Sequence, residues 1–498
     1  MTANMNRRRF LSSAAATSAF VIVPRHVLGG VKYVAPSEKI TMAHIGMGTQ
    51  SFSELDGLLK EPQIQIVAVC DPNNFSTDYV EWGKNDIRNK IRNLLNDSSW
   101  GQNLTGCPGG RQIGKKVIDT YYADNRGKEK FKACTAYADF RELLEKEKDI
   151  DAVKIMTPDH LHATISIAAM KKGKHVLMHK PVANRLHEAR LVRETARKTK
   201  VATRLLAYGA GTGNGLIAER IKQGIIGPLR EIHNWSNRPV WPQYTKIPKD
   251  KPPVPDGFQW DLWLGPETDR PYHPHYTHAV FRGWYDFGGG SMADMGIYSL
   301  WPVLDALNLD APLSAQAWAT HTCSIVNNVS WRTDNDFSYP IACALRFKFA
   351  PRQGMPALDL FWYDGGMKPR LPKEVEKHDI TIPEQAILFV GDKGSIMAGF
   401  MGQEPRLFAD GQNKPLRIGD APSRNNRSLS TWLQAVKGST PSPGSFLNAG
   451  PITDTVNLGT VALRAGKKVI FDCENMKLTN APEAEKYLYR KYRPGWQL

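Results

Sequence analysis

Cysteine, long apolar runs and blocks of like charge are all scarce in this chain of 498 residues. The six cysteines (Cys70, Cys107, Cys134, Cys323, Cys343 and Cys473) follow neither CxxC nor any other metal-ligand spacing, and most have apolar neighbours. They read as buried thiols, which argues against a disulfide framework. No apolar stretch reaches the ~20 residues that span a bilayer as a helix, which argues against an integral membrane protein. Basic residues outnumber acidic ones, 65 to 49, for a formal charge of +16. That surplus is dispersed, with no run of about five or six like charges and no nucleic-acid motif, whereas nucleic-acid binding concentrates its charge in a patch. No internal repeat of about 20 to 50 residues is present. A composition of 41% hydrophobic and 23% charged residues describes an ordinary globular protein of two or three domains.

The first thirty residues hold no acid, and Arg7, Arg8, Arg9 and Arg25 account for four of the surplus charges. Arg7-Arg8-Arg9, Phe10-Leu11 and the small, apolar stretch from Ser12 to Val23 have the layout of an export signal. The segment resembles a twin-arginine signal, a route that moves folded proteins. The expectation is a leader over residues 1–30 and an exported, periplasmic protein that loads its cofactor before export.

Ile40 to Ile45 is a short apolar run, followed by Gly46-Met47-Gly48-Thr49-Gln50-Ser51, an amphipathic helix through Leu59, and a β-branched strand from Ile64 to Cys70 that ends at Asp71. This order of strand, glycine turn, helix, strand and acid is what a dinucleotide site demands. Gly46 permits the tight turn, Gly48 admits the pyrophosphate, and the helix N-terminus at Thr49 and Gln50 presents free N–H groups. Asp71 stands where a carboxylate binds the adenosine ribose. Its charge repels a 2′-phosphate, and Pro72, Asn73 and Asn74 offer no cation, so NAD is expected over NADP. Ser51 occupies the third motif position, where Gly or Ala is usual.

Residues 76–133 form a polar insertion in which no chemistry is legible. The βα rhythm then resumes: a helix over Phe140 to Glu147, a strand over Ala152 to Met156 running into Thr157-Pro158-Asp159-His160-Leu161-His162, and a strand over His175 to Met178 before Lys180-Pro181. Such repetition predicts an α/β chain with an N-terminal doubly wound parallel sheet over residues 31–206. Past residue 207 the rhythm changes to strands separated by Pro-, Gly- and Trp-rich loops, which predicts an α+β domain over 207–498 with a large, mainly antiparallel sheet. His273, His275 and His278 lack a completing carboxylate or cysteine, and no metal site is expected.

Taken together, Gly46-x-Gly48, Thr157-Pro158 with its two histidines, Lys180-Pro181, Trp260-Asp261-Leu262-Trp263-Leu264-Gly265-Pro266, and Gly288-Gly289-Gly290 leading to Asp294-Met295-Gly296-Ile297-Tyr298 resemble the Gfo/Idh/MocA family of nicotinamide-dependent sugar and polyol oxidoreductases. The resemblance implies that Lys180 reaches the substrate hydroxyl and that Asp294 and Tyr298 complete the catalytic set. Lys180, Thr157, Pro158, His160 and His162 are the implied cofactor contacts beside the glycine turn, and Trp235 and Arg238 lie in a segment the family places near its cleft. At i and i+4 of a helix, Asp294 and Tyr298 face one way, and a Lys180 ammonium beside the phenol favours its ionised form as a base. His179 stands where the family has Glu, and Tyr298 resembles the glucose-fructose oxidoreductase branch, which holds its cofactor tightly. The implied protein is an exported NAD-dependent oxidoreductase that turns a ring hydroxyl of a sugar or glycoside into a ketone, in the manner of a glycoside 3-dehydrogenase. An NAD-retaining glycosidase and a silent dinucleotide- or sugar-binding protein are the alternatives. An open antiparallel sheet suits a homo-oligomer, a dimer or tetramer.

Overall fold

The computed structural model describes residues 38–126, 133–352, 354–417, 429–438 and 440–498; the segment read as an export signal lies outside them. Apolar and β-branched runs form β1 (Ile40–Ile45), β2 (Ile64–Cys70), β3 (Thr135–Tyr137), β4 (Ala152–Ile155), β5 (His175–Met178) and β6 (Thr203–Leu205). They pair in parallel in the order β3-β2-β1-β4-β5-β6. In β1 and β4 almost every side chain is buried, because helices cover both faces of the sheet. The strand order reverses between β1 and β4, and ligands of such sheets bind beyond the carboxyl ends at that switch point.

Helix α1 (Thr49–Leu59) lays Phe52, Leu55, Leu58 and Leu59 against this sheet at helical spacing. In the stretch 76–133, which reads as polar and featureless, the described residues form regular elements. Strands Ser76–Tyr79 and Cys107–Gly109 make an antiparallel ribbon, and helices Asp86–Leu95 and Arg111–Arg126 bury Ile87, Ile91, Leu94, Val117 and Tyr122 in one core with α1. Its alternating charge is the outer face of half-buried helices. Helices α2 (His162–Lys171) and α3 (Leu186–Thr199) follow β4 and β5.

The second sheet has ten strands: β7 (Leu229–Trp235), β8 (Ser314–Ala319), β9 (Cys343–Phe349), β10 (Leu358–Tyr363), β11 (Ala386–Gly391), β12 (Gly394–Gly399), β13 (Arg406–Ala409), β14 (Gln412–Pro415), β15 (Val469–Asp472) and β16 (Lys477–Leu478). Their order is β14-β13-β12-β11-β7-β10-β9-β8-β15-β16, antiparallel except for the parallel pair β7–β10. One face packs Ile232, Phe347, Leu360, Trp362 and Phe389 into a core shared with α4 (Ile297–Ala306), α5 (Gly450–Ala465) and the first sheet. Helix α5 touches both α3 and α4 and so joins the two halves. The chain end returns across this junction, where the buried Arg490 Nε lies 2.6 Å from Glu188 Oε1. Among the described residues no helix is long and apolar enough to cross a membrane. All six cysteines are free, with Cys323 exposed and Cys473 half-buried.

Candidate active site

Chain geometry builds the cleft from the end of β1. The turn after Ile45 gives Gly46 a φ of +94°, and a Cβ there would lie 2.6 Å from the Met156 carbonyl, so only glycine fits. Gly48 starts α1 without a capping side chain, which leaves first-turn N–H groups free to meet an anion. Ser51 fits the third motif position because its hydroxyl is buried 3.4 Å from His44 Nε2. Asp71 follows β2; its carboxylate accepts from the Met47 N–H at 2.6 Å and the Asn73 N–H at 2.8 Å. Burial raises the Asp71 carboxyl above its usual range while those two amides oppose the rise. Gly46, Gly48, Thr49, Gln50, Asp71, Thr157 and Pro158 all line one cleft, which has about 850 Å³ of empty space, open solvent included. These residues fit a dinucleotide, with the ribose carboxylate at one end and the uncapped helix at its middle.

Sequence reasoning missed the groups that cover this cleft. Tyr79 and Trp82 come from the insertion, and His278, Ala279 and Phe281 from a 3₁₀ segment of the second domain. Asp78 Oδ1 lies 3.1 Å from His278 Nε2, and the Tyr79 and His278 rings are centred 3.9 Å apart. His278 holds φ at +51°, a left-handed conformation costly for a residue with a side chain. The insertion also returns a cation to Asp71, since Arg111 Nη1 donates to the Asp71 carbonyl at 3.0 Å. No residue in the Pro72–Asn74 window foretold it.

Not every expected contact reaches the cleft. Trp235 is fully buried on the opposite face of the sheet, among Val375, Leu388, Met397 and Phe408, and its Nε1 donates to the Pro383 carbonyl at 2.9 Å. It is a core residue because strand alternation turns it away from the substrate side. His160 is also fully buried, its Nε2 2.9 Å from the Trp263 carbonyl, and burial pushes its pKa down to about 3. The ring nitrogens of His162 face the Pro181 carbonyl at 2.6 Å and the Thr157 carbonyl at 2.9 Å. It ties the Thr157 loop to the Lys180 segment from below, so both histidines support the cleft wall without entering it.

Lys180, Asp294 and Tyr298 do come together. Lys180 follows β5, and its Nζ lies 2.6 Å from Asp294 Oδ1 and 5.2 Å from the centre of the Tyr298 ring. Asp294 sits in a π-helical turn, Met292–Gly296, that precedes α4, where sequence periodicity implied a plain α-helix. Such turns recur at functional sites because the extra residue re-aims a side chain. Two guanidiniums also approach the Asp294 carboxylate: Arg282 Nε at 3.4 Å and Arg238 Nε at 3.5 Å. Burial works against the ionised Asp294, yet Lys180 and Arg282 outweigh it and hold the carboxyl well below its usual range. Burial lowers the Lys180 pKa and the contact with Asp294 opposes that fall.

His179 lies beside this set on the cleft wall, its Nε2 3.3 Å from the Tyr298 hydroxyl and 3.6 Å from Glu54 Oε1. Glu54 in turn meets Lys154 Nζ at 3.0 Å. Lys154, inside the apolar strand β4, was the available signal, since a buried lysine demands a carboxylate partner. Burial lowers the His179 pKa to about 3 against the pull of Glu54, so the imidazole is neutral. Burial, then the Asp294 and Glu54 charges, push the Tyr298 phenol far above its usual range. The expectation that Lys180 ionises Tyr298 is therefore corrected: the ammonium charge is matched by Asp294, and the phenol keeps its proton.

A parallel dinucleotide-type sheet joined to a large antiparallel sheet, with a Lys-Asp-Tyr cluster at their junction, defines a nicotinamide-dependent oxidoreductase fold. Residues 115–206 match the family model for the oxidoreductase family, NAD-binding Rossmann fold, and residues 220–333 match that for its C-terminal alpha/beta domain. These two stretches, together under half of the chain, are similar to the Gfo/Idh/MocA oxidoreductase family, and the N-terminal one matches its NAD-binding domain. It is 22% identical over 243 residues to a glycosyl hydrolase family 109 protein of Shewanella baltica, covering 45% of this chain and 44% of that protein, so the match spans less than half of that relative. It is 33% identical over 119 residues to levoglucosan dehydrogenase of Pseudarthrobacter phenanthrenivorans, covering 22% of this chain and 30% of that one. The WlbA dehydrogenase of Chromobacterium violaceum, solved with NADH and UDP-GlcNAcA, shares the fold at a TM-score of 0.52 and 15% identity over 87% of this chain and 96% of that one.

Proposed function

We propose that this protein oxidises a ring hydroxyl of a sugar or glycoside to a ketone, in the manner of a glycoside 3-dehydrogenase, and that it acts outside the cytoplasm. The observation that carries the reading is the Lys180–Asp294 contact, with Tyr298 and His179 beside it, His179 lining the same cleft as Asp71. The Arg7-Arg8-Arg9 leader supports export, and exposed Ile325, Val326, Val329 and Trp331 on the hairpin Cys323–Arg332 support a homo-oligomer. Levoglucosan dehydrogenase, an enzyme named for a sugar, supports the substrate class.

NAD, when bound, supplies the hydride acceptor. Lys180, fixed by Asp294, presents its ammonium to the substrate oxygen and stabilises the negative charge that develops there. The substrate proton passes by way of the Tyr298 hydroxyl, which the neutral His179 Nε2 holds at 3.3 Å, to water in the open cleft. A phenol held in its protonated form acts well in such a relay and poorly as a free phenolate base. Oxidation at a ring carbon acidifies the neighbouring C–H, which prepares a glycosidic bond for elimination by a second enzyme.

The glycosyl hydrolase relative favours a second reading, in which the hydride returns after elimination and the net reaction is hydrolysis. Stoichiometry separates the two. Absorbance in the reduced-nicotinamide band is followed while glucosides, free hexoses and inositols are added, with ketone and aglycone assayed in the same samples. A lasting rise with one ligand supports the dehydrogenase, and aglycone release without a rise replaces it with the glycosidase.

A further inference from the structure

Three cations surround a single acid at the reacting end of the cleft. Lys180 Nζ, Arg282 Nε and Arg238 Nε all approach the Asp294 carboxylate, at 2.6, 3.4 and 3.5 Å. Among the described residues neither guanidinium has a second carboxylate within 4.0 Å. Their Nη1 atoms meet only neutral oxygens, Asn237 Oδ1 for Arg238 at 3.1 Å and the Ala279 carbonyl for Arg282 at 3.4 Å. Arg238 Nε, itself buried, makes no hydrogen bond. Asp159 accepts from the Gly289 N–H at 2.9 Å and also faces the Arg282 and Lys180 charges, but burial raises its carboxyl above the usual range and disfavours its ionised form. Neither arginine is sealed away: the Arg282 side chain is 14% exposed and lines the cleft, and that of Arg238 is 25% exposed.

A cluster with this excess of positive charge, partly desolvated, is costly to maintain unless a ligand of opposite charge completes it. An oxidised nicotinamide ring bound nearby would add positive charge and not compensate it, which leaves that role to a substrate group. Guanidiniums that face Asp294 with Nε and spend Nη1 only on neutral oxygens keep donors for a planar or tetrahedral anion.

We infer that Arg238 and Arg282 form an anion subsite, and that the preferred substrate is a sugar carrying a carboxylate or a phosphate. This rests on the proposed sugar oxidation only for the word sugar; the anion preference is a binding property. In that arrangement Asp294 holds both guanidiniums by one edge, and the anion takes the other edge while Lys180 meets the reacting hydroxyl.

Binding is measured on the purified, NAD-containing full chain by titration calorimetry with methyl glucoside, methyl glucuronide and glucose 6-phosphate. The structure predicts that at least one anionic sugar binds tenfold or more tightly than the glucoside, and that Arg282→Gln and Arg238→Gln each shrink that ratio several-fold. Tighter binding of the glucuronide identifies a carboxylate, and of the phosphate ester a phosphate; either supports the subsite. Equal or tighter binding of the neutral glucoside by the unaltered protein overturns it, whether or not the variants fold. Reduced-nicotinamide absorbance in the same samples keeps the two claims apart: tight anionic binding without hydride transfer sinks only the oxidoreductase reading, and glucoside turnover without anion preference sinks only the subsite.

Discussion

Lys180 Nζ and Asp294 Oδ1 lie 2.6 Å apart although 114 residues separate them in the chain. One comes from the loop after the fifth strand of the parallel sheet, the other from the π-helical turn that opens α4, so the pair exists only when both halves of the protein are docked. A buried ion pair of this kind adds little stability against an apolar substitute, yet losing one partner leaves an uncompensated charge. Its value here lies in fixing an ammonium where substrate oxygen must gain charge.

Replacing Lys180 by Met removes that ammonium and leaves the nucleotide cleft, from Gly46 to Asp71, untouched. Turnover should fall by about 10³-fold or more, within the range assigned to a positioned proton-handling or charge-stabilising group, while NAD affinity changes by less than about threefold. Steady-state rates and NAD titration on the same preparations check both halves of the expectation.

The relay carries a pH signature. His179 Nε2 accepts the Tyr298 hydroxyl's hydrogen bond only while neutral, and burial holds its pKa at about 3. Its folded value lies far below the ordinary 6.5, so acidification from pH 7 to pH 5 leaves the acceptor available. The kcat profile should therefore show no acid limb from this group over that range. Both Tyr298→Phe and His179→Gln should reduce kcat by about 10²-fold. An acid limb centred near 6.5 that vanishes in His179→Gln would contradict the assignment.

The insertion and the second domain clasp the nucleotide groove through Asp78, Tyr79 and His278. Breaking the clasp with Asp78→Asn or His278→Gln should speed NAD dissociation by about tenfold, equivalent to ~1.4 kcal/mol. Nucleotide content after repeated gel filtration, followed by stopped-flow release, measures it. Unchanged retention in both variants would mean that the clasp plays no part in holding the cofactor.

Trp235 offers a control outside the site. It fills a core pocket on the far face of the large sheet, so Trp235→Ala should cost about 3–5 kcal/mol of stability. KM should stay unchanged per folded molecule. Urea unfolding alongside substrate saturation separates this from a binding role.

The parallel half of the fold was legible because its signals are local: a glycine turn between two apolar strands and an acid at the next strand end. The cluster of Lys180, Asp294 and Tyr298 was reachable through family resemblance, since no local pattern joins positions so distant. What escaped was decided by tertiary contact. Tyr79 and His278 meet across the cleft from segments that each look polar and irregular. Arg282 follows a phenylalanine in a loop with no periodicity. Trp235 and His160 were misplaced for the opposite reason: an aromatic or imidazole near a site looks functional in a sequence, and strand alternation or depth behind a loop removes it from the surface.

The most direct test of the account is transfer of isotope. The NAD-containing protein is incubated with ring-deuterated sugars, neutral and anionic, and the nicotinamide is then recovered for mass analysis. The account predicts that deuterium appears on the reduced cofactor with the unaltered protein and is absent with Lys180→Met. Ketone formation without label on the cofactor, or equal label in the variant, would contradict it.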